Sequence, residues 1–191
     1  MCYTNEGTGK MARRESVTRD VIIDAAFSIL REEGIEQVTA RKLAARANCS
    51  TQPIFRIFKN MEELAQELYD RTACFFREYY DSFPRHLEAP FVHLGMIYIR
   101  FALEHGNLFS FLFLSGKRFA GNGYDMMRGW EDCTAGQIRP ASESCENAGE
   151  VFARMWVTIH GAACMTLAGD YDLTEEETAN MLEDICRLYC K

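Results

Sequence analysis

Between Thr18 and Asn60, three apolar stripes alternate with residues that start or stop helices, and that punctuation leaves few folds open. In "TRDVIIDAAFSILREEG", Val21, Ile22, Ala25, Ala26, Ile29 and Leu30 recur at helical spacing and so share one face. Gly34 follows, a residue able to take the positive φ that ends a helix. "VTARKLAARANC" restarts with Thr39 as N-cap and a short apolar face of Leu43, Ala44 and Ala47. Asn48 tolerates the left-handed turn that closes this segment. Ser50 is the N-cap candidate of the next one, and Pro53 stands in its first turn, where a missing N–H costs little. Ile54 and Phe58, four residues apart, share the face that packs on the two preceding helices. Two short helices joined by a tight turn and braced by a longer one make a helix-turn-helix unit.

Charge separates this unit from the rest of the chain. The net charge is −7, an unpromising value for a partner of a polyanion. Residues 1–60, however, carry ten Lys/Arg against seven Asp/Glu, and residues 61–191 carry eleven against twenty-one. A basic head on an acidic body is the asymmetry expected when only the head meets nucleic acid. Lys10, Arg13, Arg14 and Arg19 gather near the start, and Arg41, Lys42, Arg46, Arg56 and Lys59 gather around the third stripe. We therefore divide the chain into residues 1–60, a basic arm with a helix-turn-helix domain, and residues 61–191, a helical body.

The residues around the third stripe have the chemistry to read duplex DNA. The second helix of such a motif enters the major groove and presents its early residues to base edges. Thr51, Gln52, Pro53 and Arg56 project away from the Ile54–Phe58 face, with Ser50 just before them. Gln bonds bidentately to adenine and Arg to guanine. Phe55 sits at the rim, near the backbone or a thymine methyl. Thr39, Arg41, Lys42 and Lys59 suit phosphates, which position a protein without reading sequence.

Residues from about 20 to 68 resemble the DNA-binding domain of the TetR family of transcriptional regulators. The resemblance is carried by "AAFSILREEGIEQVTARKLAARANCS" followed by "IFRIFKNMEEL". Ile54-Phe55 stands for the family's Leu-Tyr, Phe58 for its Phe, and Glu62 to Leu64 for its ending. Phe55 lacks the hydroxyl that in the family reaches a phosphate, and Met61 replaces a usual Lys. Asn48 stands where Gly is frequent. "MWVTIHGAACMTLAG", through Trp156, His160 and Gly161, and "EHGNLFSFLFLSG" resemble C-terminal segments of one subgroup. The resemblance implies an all-α protein, a ligand-responsive and DNA-binding repressor that reads a palindromic operator as a homodimer and is released by a small-molecule effector. It also implies dimerisation through the last two helices, with Val157, Ala163, Leu167, Met181, Ile185 and Leu188 on the paired faces.

The body reads as further helices. "MEELAQELYDRTACFFREYYDSF" and "APFVHLGMIYIRFALEHG" come first. A short apolar "NLFSFLFLS", a glycine-weakened "GNGYDMMRGWEDCTAGQI" and the long "SESCENAGEVFARMWVTIHGAACMTLAGD" follow. "TEEETANMLEDICRLYC" opens on a capping box of Thr174 and Glu177, with Leu173 placed as a hydrophobic staple. Phe75, Phe76, Tyr79, Tyr98, Phe101, Phe109, Phe113, Trp130, Trp156 and His160 are the expected lining of an effector cavity. Aromatics at helical spacing are also what an ordinary core contains, and a lone His such as His160 is also what a bundle interior contains.

Other classes find less support. No apolar run approaches the ~18 residues of a membrane span, and the opening stretch lacks an apolar signal core, so a cytoplasmic protein without membrane contact is expected. The eight cysteines form no C-x2-C pair of a structural zinc site. Cys186 and Cys190 read as small apolar residues on a buried stripe, with a redox switch as the alternative. No nucleophile elbow, phosphate loop or "H-E-x-x-H" is present. We expect no catalytic residue, metal or cofactor. The rival reading is a small all-α binding module or enzyme without DNA affinity.

Overall fold

The computed structural model describes residues 17–84, 90–115 and 148–189. Within them the chain is all helical, with no strand among the described residues. The head comprises α1 (Arg19–Glu33), α2 (Ala40–Arg46) and α3 (Thr51–Ile57), with a 3-10 turn over Ile35–Gln37. The long α4 (Met61–Asp81) leads into a body of α5 (Pro90–Glu104), the short α6 (Gly106–Phe109), α7 (Ala148–Ala168) and α8 (Glu175–Tyr189). After α6 the chain continues as a π turn over Ser110–Leu114. The helix expected over 121–138 lies outside the described residues, as do Trp130, Lys10, Arg13, Arg14, His86 and Cys190.

Local chemistry sets the helix ends. Thr18 Oγ1 accepts from the Val21 N–H, Thr39 Oγ1 from Lys42 and Asn60 Oδ1 from Glu63. Each side chain satisfies a donor that the first helical turn leaves unpaired. Gly34 ends α1 at φ +89, and Asn48 turns between α2 and α3 at φ +49. Ser50 occupies the N-cap position of α3, but its side chain makes no capping bond. At α8 the expected box closes in both directions, Thr174 N–H to Glu177 Oε2 at 2.8 Å and Glu177 N–H to Thr174 Oγ1 at 3.2 Å. Leu173 does not staple this helix and stays 40% exposed. Tyr171 instead hydrogen-bonds the buried Thr178 at 2.9 Å, which satisfies a hydroxyl an apolar staple would have orphaned.

One apolar core runs from head to body. Ile54 and Phe58 are buried as their spacing requires. The α1 face is broader than the stripe suggests: Ile23 and Phe27 are buried, and Val21 is 44% exposed. Phe27 meets Phe75 of α4 edge-on at 5.4 Å, which explains its burial. The end of α1 also meets α6, where Asn107 Nδ2 donates to the Arg31 carbonyl at 3.1 Å. Gly95 lets α5, α7 and α8 close up, since a Cβ there would lie 2.7 Å from Leu182 and 3.1 Å from Ile159.

The outward apolar positions of the last two helices differ in part from the faces expected to pair. Ala163 is fully buried in the protomer's own core, and Leu167, Met181 and Ile185 pack partly against it. The outward stripe of α7 is Val157, Gly161 and Met165, four residues apart, with Leu188 outward on α8. Small and large residues alternate there because the larger apolar positions on the opposite side already fill the protomer.

Removing the Phe58 ring tests this packing. We expect Phe58→Ala to cost roughly 3–5 kcal/mol in urea unfolding, because a fully buried aromatic leaves a cavity that the head cannot collapse. Arg56→Ala, on the exposed side of the same helix, should leave the midpoint unchanged.

Candidate nucleic-acid interface and effector region

The outward face of α3 presents Thr51, Gln52, Phe55 and Arg56 to solvent, with Pro53 half-buried and Lys59 and Ser50 exposed at its ends. Phe55 is 51% exposed, an uncommon posture for a ring with Ile54 and Phe58 buried beside it. Thr39 and Arg41 are exposed at the start of α2, on the same head. Arg41, Arg56 and Lys59 form no ion pair among the described residues. Other cations of the head are already engaged. Lys42 Nζ is bound by Glu33 at 2.5 Å and Gln37 at 2.7 Å. Arg46 holds Glu32 at 2.8 Å and Ser28 at 2.5 Å. These bonds, with Arg46 first and Ser28 second, depress the Glu32 carboxyl to about 2. The sequence suits Lys42 to a phosphate, whereas the fold holds it half-buried on the flank facing α1, with its charge taken up by Glu33.

Arg19 works as a strut. It lies 4.4 Å above the Phe58 ring, donates to the Ile57 carbonyl at 3.3 Å and reaches Glu67 from Nε at 2.6 Å. Glu63 accepts from it at 3.3 Å and from the Lys59 N–H at 2.8 Å, and the latter, then Arg19, hold its carboxyl below the ordinary range. Charge counting could not separate this cation from phosphate-binding ones, because its partners lie more than forty residues away.

In the body, the described residues expected around an effector are brought together as a closely packed set. Ring centroids lie 4.7 Å apart for Phe76–Phe101, 4.8 Å for Tyr98–Phe113 and 4.9 Å for both Tyr98–Phe109 and Phe109–Phe113. His160 stacks on Trp156 at 5.6 Å, and its Nδ1 shares a 2.9 Å hydrogen bond with the Tyr98 hydroxyl. Phe75 and Tyr79 extend the set to His105, at 5.2 and 5.3 Å. Trp130 lies outside the described residues. The π turn at Ser110–Leu114 lets Phe111, Leu112 and Phe113 all point inward.

A groove of about 580 Å³ lies elsewhere, on the outer face of α5, and none of the expected effector residues lines it. Val92, Ile97 and Ile99 form its floor, and Phe83 and Pro84, just past α4, form one wall. Leu173, Thr178, Ala179 and Glu183, before and on α8, form the other. The sequence does hold a signal for it. The α5 helix is apolar almost all round, which a surface helix sustains only if every side is covered or one side lines a cleft. Among the described residues no three His, Cys, Asp or Glu side chains gather to hold a metal, and no helix is long and apolar enough to cross a membrane.

Three helices with a left-handed turn before a short exposed reading helix, carried on a helical body, define a helix-turn-helix regulator. Two family models match the chain: bacterial regulatory proteins of the tetR family over residues 22–68, and the tetracyclin repressor-like C-terminal domain over residues 91–189. The chain belongs to the TetR family and is a transcriptional regulator with a DNA-binding head. Its fold is shared with a Rhodococcus sp. RHA1 protein of unknown function, at TM-score 0.69 and 20% identity, over 95% of this chain and 100% of that one. A TetR-like transcriptional regulator, also from Rhodococcus sp. RHA1, aligns at TM-score 0.61 and 15% identity, over 88% and 92%. FadR from Bacillus subtilis, solved with stearoyl-CoA, aligns at TM-score 0.61 and 16% identity, over 91% and 98%. No curated protein matches the sequence.

Burial holds His105 and His160 below the ordinary histidine range, with Glu104 opposing it at His105. Both groups therefore take protons in the unfolded chain before the folded one. Stability is complete above the unfolded value near ~6.5 and is lost as pH falls below it, toward the folded values. We expect the urea midpoint to decline from about pH 7.5 to about pH 5, and His105→Gln with His160→Gln to flatten that slope.

Proposed function

We propose that the protein is a ligand-responsive repressor that binds a palindromic operator as a homodimer and leaves it when a small molecule binds the body. The observation that carries the reading is the outward face of α3. Gln52 and Arg56, donors suited to base edges, stand exposed there beside Arg41 and Lys59, which make no close ion pair among the described residues. One seven-residue helix reaches too few bases to be selective alone. Two copies related by a two-fold axis would read half-sites about 34–36 Å apart. The outward stripe of Val157, Gly161, Met165 and Leu188 supports such pairing, since exposed apolar positions on α7 and α8 gain by facing their copies. A FadR of the same fold was solved in complex with stearoyl-CoA, which supports a small-molecule ligand here. In this reading Thr39, Ser50, Thr51 and Pro53 line the DNA approach, residues 1–60 form the reading domain and residues 61–191 form the control domain.

Operator fragments selected from genomic DNA, then measured by fluorescence anisotropy, test the reading. Gln52→Ala and Arg56→Ala should each cost about 1–3 kcal/mol on the selected site and relax preference at one position per half-site. Lys59→Ala should weaken selected and random DNA alike and reduce the log–log salt slope by about one unit for each phosphate it no longer neutralises. Retained site preference in both α3 variants would refute the assignment of the reading face.

Sedimentation tests the assembly. Val157→Glu and Met165→Glu should convert a dimer to monomer at micromolar concentration with the helical melt preserved, because both side chains are solvent-exposed in the protomer. A wild-type monomer at that concentration would remove the palindrome argument.

A further inference from the structure

The groove on the outer face of α5 is distinct from the ring-packed interior and has a ligand chemistry of its own. Its volume of about 580 Å³ falls within the range of drug-sized sites. Its floor is buried and apolar, while Leu103 at 71% and Leu173 at 40% exposure leave apolar surface open along its edges. Apolar surface left open around a concavity favours an apolar occupant.

Charge then selects among apolar occupants. Arg100 reaches into the groove, but its guanidinium is already committed. Its Nε donates to Glu104 at 2.9 Å, its Nη1 stands 3.9 Å from Glu175, and its face covers Phe83 at 5.5 Å. The Glu104 carboxylate also accepts from the Tyr79 hydroxyl at 2.8 Å. Glu183 faces the groove from α8 and holds Arg187 at 3.0 Å. The segment that borders the groove, residues 169–177, carries five carboxylates and no Lys or Arg, and Glu175 is the one of these that lines it. An anionic ligand would have to break the Arg100–Glu104 pair and lie beside Glu175 and Glu183. A cation gains both from the lining carboxylates of Glu175 and Glu183 and from the Tyr171 ring.

We propose that this groove binds a lipophilic cation of drug size. The inference rests on the reading of the body as a small-molecule receptor and adds the site and the ligand class. Phe83 and Pro84 follow directly on α4, and α4 begins at the Arg19 strut under the reading helix. A ligand wedged between the end of α4 and α8 thus acts on the helix that carries the head.

Three fluorescent probes of similar aromatic size test the proposal on the full chain: cationic thioflavin T, neutral N-phenyl-1-naphthylamine and anionic 1-anilinonaphthalene-8-sulfonate. Thioflavin T should bind saturably, one per protomer, at least tenfold more tightly than either other probe. Ala179→Trp, which fills the groove from α8, should abolish binding. Asp172→Asn with Glu175→Gln, both in exposed positions that leave the fold intact, should bring the three affinities within about threefold of one another by removing charge selection. Phe109→Leu, in the ring-packed interior, should leave thioflavin T affinity unchanged. Equal or tighter binding of the sulfonate or the neutral probe by the wild type would overturn the ligand class. Unchanged binding in Ala179→Trp, or no binding by the wild type, would overturn the site. Operator affinity measured with and without thioflavin T is a separate reading: bound probe with DNA retained would sink release by a ligand at this groove and leave the site standing.

Discussion

The Phe58 ring is where α1, α3 and α4 are tied to one another. Arg19 of α1 lies over it, donates to the last turn of α3 through the Ile57 carbonyl, and pairs with Glu63 and Glu67 of α4. Glu63 in turn caps the Lys59 N–H as the chain leaves α3. The ring is fully buried, so the guanidinium works at the boundary of an apolar core. There its cation–π contact and hydrogen bonds meet less competition from water than at an open surface. The pose of the exposed α3 residues is therefore set by groups on α1 and α4. Rotation of α4 about its axis carries Glu63 and Glu67 with it, and the Arg19 guanidinium must follow or forgo its partners.

That dependence makes α4 the mechanical link between the two halves. Along its length it passes from the Arg19 strut to the Phe27–Phe75 contact, then to Tyr79, whose hydroxyl meets Glu104 of α5. The seam is built from rings in edge contact, which transmit displacement because packed aromatics have few alternative rotamers. The Asn107 bond to the Arg31 carbonyl fixes the far end of α1 to α6. The head is thus held to the body at two places, one by charge and rings and one by a side-chain amide. A conformational change that moves α4 without α6 would tilt α1 rather than translate it.

Much of the head was legible because its determinants are local. Thr39 caps within three residues of its own position, and Gly34 and Asn48 take φ values that few other residues tolerate, although Ser50, the other expected cap, makes no capping bond. Ile54 and Phe58 needed only helical periodicity. What failed was non-local. Lys42 finds Glu33 nine residues back across a turn, and Val21 loses its place in the core because Phe27 answers Phe75 on another helix. Ala163 turns inward and Gly161 outward two residues apart, a choice fixed by the packing of α5 and not by hydropathy. Aromatic periodicity in the body foretold a cluster and left open whether it encloses space or fills it. The groove was invisible because four separate segments build its walls.

The distribution of charge reconciles an acidic chain with a DNA-binding head. Glu32 and Glu33 would repel phosphates, yet they are bound by Arg46 and Lys42 on the flank where α1 meets α2. These are partly exposed pairs, and each contributes little to stability. Their larger effect is to cancel fields at short range, so that the exposed cations without a close ion pair are those on and beside α3: Arg41, Arg56 and Lys59. Repulsion from exposed charges decays over a Debye length of about 8 Å at physiological salt, so only carboxylates close to α3 oppose a phosphate there. Net charge says little about such a protein; the pairing of each carboxylate on the head decides which surface a phosphate meets.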